Sequence, residues 1–307
     1  MNEEVFTRIK QATVNQSPKL NLCEQGLTEL PPEIFQLSHL ESLFLNENQL
    51  TDLHPDIAKL SKLKQLELSD NHLLSLPLEI GQLSELEILY IDENQLAMLT
   101  PAIGHLSRLK TLNLSDNHLI ALPVEIAQLS NLEELFISYN KLILLQSELT
   151  QLPYLRELDV SGNQIIEVSS DIAHMTRLQE LNLGDNKLTV LPSTISQLVN
   201  NLEELDISIN EFYKVPPVIF QLSQLKELYI SENKIEVLSD EIGQLSKLEW
   251  LDVRDNLLTN LPTTISQLSN LEWLLLEGNP LPIPRKLLEQ GDYPQKIIAY
   301  YLKSLNF

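Results

Sequence analysis

Residues 63–85 read LKQLELSDNHLLSLPLEIGQLSE, and this stretch decides the fold. Leucines stand at fixed distances before and after Asn71. The asparagine recurs at positions 48, 71, 94, 117, 140, 163, 186, 210, 233, 256 and 279, every 23 residues except for one interval of 24. Gln25 takes the preceding slot. The chain therefore contains twelve turns of one repeat, and a fixed period of this length indicates a stacked architecture.

Within one turn, two apolar patterns predict two kinds of local structure. Leu66 and Leu68 flank the polar Glu67, which is the alternation of a short strand. Ile80 and Leu83 follow at helical spacing and predict a short helical segment on the opposite side. One turn cannot bury both sets of apolar side chains, whereas stacked turns bury them continuously. The sequence predicts an α/β solenoid, right-handed and curved, with one parallel sheet on its concave face and helical segments on its convex face.

The repeat also predicts the domain organisation and the role of the asparagines. Each Asn side chain is expected to hydrogen-bond the backbone of neighbouring turns. Residues 17–284 are expected to form the solenoid, with helical caps at residues 1–16 and 285–307, as one elongated unit. The apolar stripes of the caps are Val5, Ile9 and Ala12 at one end, and Ile297, Ile298, Tyr301, Leu302 and Leu305 at the other.

Composition excludes several classes of function. The 43 acidic and 21 basic residues give a formal charge of −22, which makes nucleic acid and anionic membranes poor partners. The first residues lack the basic and apolar segments of a secretory signal, and no uninterrupted apolar run is long enough to span a membrane. Cys23 is the single cysteine, so a disulfide framework is excluded and a cytoplasmic location is expected.

A strip of acidic and aromatic residues on the predicted sheet is the candidate binding site. Glutamate fills the same outward strand position in five consecutive turns, and aromatic residues adjoin this column. Glutamates here could simply keep the sheet solvated, and Trp273 could be covered by the C-terminal cap. Tryptophan is nevertheless a typical contact residue, so we predict a protein-binding surface. Its residues are Glu134, Glu157, Asp159, Glu180, Glu204, Asp206, Glu227, Tyr229, Trp250, Asp252 and Trp273.

No pattern in the sequence indicates an enzyme, a cofactor or a metal. The glycine-rich phosphate loops and the nucleophile motif Gly-x-Ser-x-Gly are absent. Acidic residues do precede most of the asparagines, but a linear column does not converge on one ion as a calcium site requires. We interpret that column as turn chemistry. Cys23 has no histidine in neighbouring outward positions to activate it, which favours a structural thiol.

The repeated Leu-x-x-Leu-x-Leu-x-x-Asn-x-Leu pattern resembles the leucine-rich-repeat family over residues 17–284. The form with Leu-Pro-x-Glu-Ile is similar to the 23-residue intracellular type, found in Ras-group-related scaffolds and in the repeat arms of Roco GTPases. The resemblance implies a non-catalytic module that presents a rigid surface to a protein partner with a basic patch. The alternative is a regulatory arm of a Roco-type GTPase whose catalytic domain lies outside these residues. The partner's identity and the oligomeric state stay open.

Overall fold

The computed structural model of the protein describes residues 3–305, and its contacts divide the chain into two compact units. The first unit comprises the residues up to 142 and residues 146–157, and the second comprises residues 143–145 and those from 158 onward. Residues 1, 2, 306 and 307, at the outer ends of the predicted caps, lie outside the described residues.

The first unit begins with helix α1 (Glu3–Asn15) and continues with short parallel strands, one per turn. Single turns of 3-10 helix alternate with the strands along the chain. The strands are β1 (Lys19–Asn21), β2 (Ser42–Phe44), β3 (Gln65–Glu67), β4 (Ile88–Tyr90), β5 (Thr111–Asn113) and β6 (Glu134–Phe136). The 3-10 turns are Pro32–Gln36, Pro55–Lys59, Leu78–Gln82, Pro101–His105, Val124–Gln128 and Ser147–Gln151.

The second unit repeats the same arrangement and ends in two helices. The division between the units falls within strand β8 (Glu157–Asp159): Glu157 belongs to the first unit, and Leu158 and Asp159 belong to the second. Two-residue strands β7 (Leu144–Leu145) and β9 (Glu167–Val168) pair in a small separate sheet. The remaining elements are β10 (Glu180–Asn182), β11 (Glu204–Asp206), β12 (Glu227–Tyr229), β13 (Trp250–Asp252), β14 (Trp273–Leu275), α2 (Arg285–Leu288), α3 (Pro294–Ser304), and the 3-10 turns Ser170–His174, Ser193–Leu198, Pro217–Gln221, Asp240–Gln244 and Thr263–Gln267.

The burial of the strands confirms the alternation that the sequence predicts. The central leucine of each strand is buried, as Leu66 and Leu228 show, while the residues on either side face outward. Neighbouring strands pair in parallel with equivalent residues side by side, so Glu204 stands opposite Glu227. Each outward position therefore forms a column across the strands of a unit.

The short helical segments of the repeat are 3-10 turns of five or six residues rather than α-helices. Each turn buries an apolar residue in the core, such as Ile80 and Ile242, on the side opposite the strands. In several turns a proline stands at the first helical position, where its fixed φ fits and no N–H is required. The prediction of a solenoid with strands on one side and helical segments on the other is confirmed.

The asparagines bond the backbone of neighbouring turns as predicted, and those from Asn48 to Asn256 are buried. The Nδ2 of Asn71 donates to the carbonyl of Leu45 in the preceding turn at 3.0 Å and to that of Leu68 in its own turn at 3.1 Å. Its Oδ1 accepts from the N–H of Leu50 at 3.0 Å. The same set recurs in the second unit, where Asn233 bonds the carbonyl of Ile207 and the N–H of Phe212. These contacts satisfy backbone groups that water does not reach.

The one long repeat interval leaves this ladder of asparagines unchanged. Between Asn186 and Asn210 the 3-10 turn Ser193–Leu198 has six residues, and Val199 after it takes helical angles. Asn210 still donates to a carbonyl of the preceding turn, Leu183, at 2.9 Å and accepts from Leu188 at 2.8 Å. The extra residue is therefore absorbed on the side of the 3-10 turns.

The residue before each asparagine adopts a left-handed backbone conformation, which is the form that the predicted turn chemistry takes. Values of φ lie near +50° at Asp70 and Asp116, and glycine takes the same column at Gly162 and Gly278 with φ of 63° and 74°. Side chains other than glycine and the short polar residues rarely accept this conformation. In the first unit this column also brings carboxylates close together, since Asp70, Glu93 and Asp116 occupy successive turns.

Both predicted caps are present, with one correction at the C-terminus. Val5, Ile9 and Ala12 of α1 are buried, as are Ile297, Ile298 and Tyr301 of α3. The Tyr301 hydroxyl accepts a hydrogen bond from the N–H of Leu261 at 2.9 Å and so holds the cap onto the last turns. The stripe was predicted to extend to Leu305, which is wrong: Leu305 follows the end of α3 and is 52% exposed.

Replacing Asn140 by leucine is expected to destabilise the protein by about 1–3 kcal/mol, because it leaves buried backbone groups without partners. Asn140 accepts from Leu119 at 2.9 Å and donates to Leu114 at 2.9 Å and to Ser138 at 3.0 Å. Denaturant unfolding measures the effect. The matched control is Asn260→Leu, because Asn260 is exposed and, among residues 3–305, its side chain bonds only the adjacent Thr259 hydroxyl. Equal stability of the two variants would contradict the role of the ladder.

Replacing Asp116 by asparagine is expected to raise the melting temperature at pH 7. Burial first, and the charge of Asp92 second, raise the pKa of Asp116. A raised pKa means that the ionised carboxyl disfavours folding above that pKa, and that protonation relieves the penalty as the pH falls. The gain is expected to be about 0.5 kcal/mol or less, since Asp116 is exposed and solvent screens it.

Melting temperatures from pH 7 down to pH 4 test this expectation. The gap between Asp116→Asn and the wild type should shrink as the pH falls, because the wild-type carboxyl is neutralised as well. Glu29→Gln, which removes one exposed charge from the same unit, serves as the control. A gap that widens toward acidic pH would show that the sign is wrong.

Candidate interaction surface

Five adjacent strands of the second unit place acidic and aromatic side chains in one column. β10, β11 and β12 begin with Glu180, Glu204 and Glu227, and the register sets these residues side by side. β13 and β14 continue the same column with Trp250 and Trp273. Because paired strands lie about 4.8 Å apart, like charges here repel one another. We call the outward residues of β10–β14 the acidic–aromatic strip.

The aromatic end of the strip is a stacked row of rings. The Trp250 and Trp273 rings lie 4.9 Å apart, with 27° between their planes, and the Tyr229 ring lies 6.2 Å from that of Trp250. Trp273 keeps 38% of its surface exposed, although Leu274 next to it donates to Gly291 of the C-terminal segment at 2.9 Å. The C-terminal cap therefore docks on the backbone of β14 and leaves the indole open.

Trp250 is held by ring contacts rather than by hydrogen bonds. Its side chain is half-buried, and its indole N–H is buried without an acceptor among residues 3–305. A buried indole N–H usually has a hydrogen-bond acceptor, so the N–H of Trp250 is an unsatisfied donor within the strip. Removing the ring would break stacking without breaking a hydrogen bond of the protein.

Tyr229 joins the aromatic and acidic parts of the strip. Its hydroxyl donates to the Oε2 of Glu227 on the same strand at 2.5 Å. Burial first, then this hydrogen bond and the charges of Glu227, Glu204 and Asp206, raise the pKa of Tyr229 strongly. The phenol therefore stays protonated at neutral pH and fixes the direction of the Glu227 carboxylate.

The third residues of β11, β12 and β13 form a second outward column, and its two carboxylates, Asp206 and Asp252, differ in their surroundings. Burial, and more weakly the charges of Asp159 and Asp252, raise the pKa of Asp206, whose Oδ1 accepts the N–H of Ser208 at 2.7 Å. Asp252 is buried and is neutralised by Arg254, which donates through Nε at 3.0 Å and through Nη2 at 2.6 Å. The negative charge of Asp252 is therefore neutralised within the chain by Arg254, while that of Asp206 remains uncompensated.

Three of the predicted site residues lie outside strands β10–β14. Glu134 and Glu157 belong to the first unit, where the Thr111 hydroxyl donates to Glu134 at 3.0 Å. Asp159 ends β8 in the second unit, is half-buried and accepts the N–H of Ser161 at 2.8 Å. The acidic–aromatic strip contains the other eight predicted residues, which are Glu180, Glu204, Asp206, Glu227, Tyr229, Trp250, Asp252 and Trp273.

Two features of the surface were missed from the sequence. The pairing of Arg254 with Asp252 could have been suspected from their spacing of two residues on one strand face, which brings both side chains to the same side. The orientation of Glu227 by Tyr229 follows the same spacing. Equivalent positions in successive repeats predict columns across the strands, and such a comparison does not include contacts along a single strand.

The described residues contain no metal-binding cluster, and their cysteine has a raised pKa. Burial is the main cause that raises the pKa of the Cys23 thiol, which opposes formation of the reactive thiolate. Within residues 3–305, no group of three or more histidine, cysteine or acidic side chains is arranged to hold a metal ion. The helices of that same range are too short or too polar to cross a membrane.

Three family profiles match the chain, and all describe leucine-rich repeats. The profile of a leucine-rich repeat region matches residues 54–169. A second repeat profile matches residues 18–73, 200–258 and 223–281, and a third matches residues 177–198. A search of curated proteins gave no match.

Solved structures give the same result. A leucine-rich-repeat protein of Leptospira interrogans is 31% identical over 91% of this chain and 95% of that chain, with a TM-score of 0.48. An internalin from Listeria monocytogenes is 28% identical over 92% of this chain and 87% of that chain, with a TM-score of 0.70. Toll from Drosophila, in complex with Spatzle, is 27% identical over 86% of this chain but only 36% of that chain, with a TM-score of 0.72.

The repeated asparagine ladder, the parallel strands with opposing 3-10 turns, and these sequence matches lead to one conclusion. The chain belongs to the leucine-rich-repeat family.

Proposed function

We propose that the protein is a non-catalytic interaction module that binds another protein through the acidic–aromatic strip of its second unit. The observation that carries the proposal is the Trp250–Trp273 stack with one indole left open beside a column of glutamates. Domains of this family generally bind proteins, and the Toll structure is a complex with Spatzle. Exposed aromatic residues beside charge are typical anchors of such contacts.

The chemistry of the strip defines the partner. Glu180, Glu204 and Glu227 stand in one column, so a partner with lysine or arginine residues at matching spacing would relieve their mutual repulsion. An apolar or cationic side chain of the partner would pack on the open face of Trp273. Because Glu227 is oriented by Tyr229, part of this surface is already ordered before binding, which lowers the entropy lost in the complex.

Membership of the leucine-rich-repeat family supports protein binding more directly than it supports a role in signalling or a cytoplasmic location. A role in signalling and a cytoplasmic location belong to the proposal and rest on the single cysteine and the resemblance to intracellular repeats. The matching profiles describe leucine-rich repeats in general, and no observation in the two units favours a Roco-type arm over a free-standing module. The interaction module is therefore the function that we put to the test.

The test is affinity capture from native lysate with the immobilised wild type and with a Trp250→Ala, Trp273→Ala double variant. A genuine partner is expected to be retained by the wild type and reduced about tenfold or more by the double variant, since central tryptophans often dominate binding energy. Its capture should also weaken as salt is raised, because the glutamates contribute charge attraction.

Two controls accompany this capture experiment. Tyr300→Ala removes an exposed aromatic residue from the C-terminal cap and should leave capture unchanged. Trp273→Ala alone, at the more exposed of the two indoles, guards against loss of folding in the double variant, which circular dichroism checks directly. If every protein retained by the wild type is retained equally by both tryptophan variants, the strip is not the binding site.

A further inference from the structure

An apolar trough crosses three turns of the first unit, away from its strands. Its cavity volume is about 510 Å³, and all but two of the side chains that line it are apolar. We call this surface the apolar trough. It is lined by Leu74, Ser75, Leu76, Ala97, Met98, Leu99, Thr100, Pro101, Ile120, Ala121, Leu122 and Pro123.

The trough combines buried leucines (Leu76, Leu99 and Leu122) with other apolar side chains that protrude into solvent. Leu74 is 59% exposed, Met98 73% and Ile120 65%. Leu78 and Val124, each directly after a Leu-Pro pair, are also mostly exposed. Single exposed apolar residues are common on proteins, but a contiguous group of them marks a binding surface.

The repeat itself does not require apolar residues at these positions. They stand three and four residues after the ladder asparagine, a site that lies outside the buried pattern. At the same two positions, the turns of four later asparagines carry at least one polar or charged residue each. These pairs are Thr189 and Val190, Tyr213 and Lys214, Glu236 and Val237, and Thr259 and Asn260. The turn of Asn48 carries Thr51 and Asp52 there, so the repeat does not dictate the apolar character of the three turns that form the trough.

Charge around the trough is acidic. Residues 65–107 and 111–140 contain no lysine or arginine, and the intervening Arg108 and Lys110 are paired with Glu85 and Glu87. Glu79 and Glu125 are the second residues of the 3-10 turns beside the trough. Asp116, of the acidic left-handed column, precedes Asn117 in the repeat that carries Ile120. Charge complementarity thus calls for a partner with basic residues on both sides of an apolar stripe.

The spacing of the protruding residues matches one face of an α-helix. Leu74 and Ile120 belong to turns that are two apart, which separates them by about 10 Å at about 4.8 Å per turn. Seven residues of an α-helix rise about 10.5 Å, so apolar residues at i and i+7 would meet the two. A second copy of this chain is a poor occupant, because its formal charge of −22 would be repelled.

We propose that the apolar trough binds an amphipathic α-helix of another protein, with an apolar face and lysine or arginine flanks. Its apolar residues at i, i+3 or i+4, and i+7 pack across Leu74, Met98 and Ile120. The basic flanks face Glu79 and Glu125. This site lies in the first unit and is independent of the acidic–aromatic strip.

The probe is a synthetic helical peptide of about 18 residues with leucine on one face and lysine on the other, long enough to fold on the surface. Fluorescence anisotropy measures its affinity for the full chain. The test variant is Met98→Ser with Ile120→Ser, and the control is Val190→Ser. Val190 is exposed and holds the position in the second unit that Met98 holds in the first. None of these neutral changes alters charge.

The double variant is expected to bind the peptide about tenfold more weakly, while Val190→Ser binds like the wild type. A scrambled peptide of the same composition and a peptide with glutamate in place of each lysine should bind more weakly to the wild type. Equal affinity of the double variant and the wild type would overturn the proposal. So would equal binding of the scrambled peptide, since charge alone would then explain the attraction.

Two further measurements address other occupants of the trough. Sedimentation of the wild type is expected to show a monomer, and a dimer that the double variant loses would assign the trough to a second copy. Vesicles of anionic lipid are expected not to bind. Vesicle binding that depends on Met98 and Ile120 would assign the trough to a membrane, and either result would overturn the helix proposal.

Discussion

The hydrogen bonds of the buried asparagines are the constraint on which the rest of the structure depends. Each turn must leave its strand through a region that water does not reach, and there the backbone groups need partners. One side chain, such as Asn71, supplies a donor to the preceding turn and to its own, and an acceptor for another N–H. Because Asn71 in the first unit and Asn233 in the second each tie their own turn to the one before, neighbouring turns within a unit are held in register.

That register determines what the surface can present. Outward strand positions form columns, so a residue type that recurs at the same position of successive repeats forms a continuous row of like side chains on the surface. In the second unit such a line changes from glutamates to tryptophans within neighbouring strands. Contacts along a single strand then change what the column presents: Tyr229 orients the carboxylate of Glu227, and Arg254 neutralises the charge of Asp252. A column read from the sequence overstates the charge that is available to a partner.

The sequence was sufficient for the features that repeat. Period and alternation predicted the strands, the buried leucines, the bonding of the asparagines and the caps, because each depends on residue type at a fixed spacing. It was insufficient where backbone angles or side-chain directions decide: the 3-10 form of the helical segments, the left-handed column and the pairing of Asp252. Leu305 was assigned to the cap by helical spacing, although α3 ends before it. The apolar trough was missed because its residues stand outside the positions that the repeat defines.

The six-residue 3-10 turn after Pro192 has a consequence for how such a protein can change during evolution. An added residue there leaves Asn210 bonded to the preceding turn and the strands in register. The two sides of the repeat therefore differ in the insertions that they tolerate. The chain can gain residues on the side of the 3-10 turns, while the number of residues on the strand side stays constant. Descendants of this protein could acquire new loops on one side without disturbing a recognition surface already established on the other.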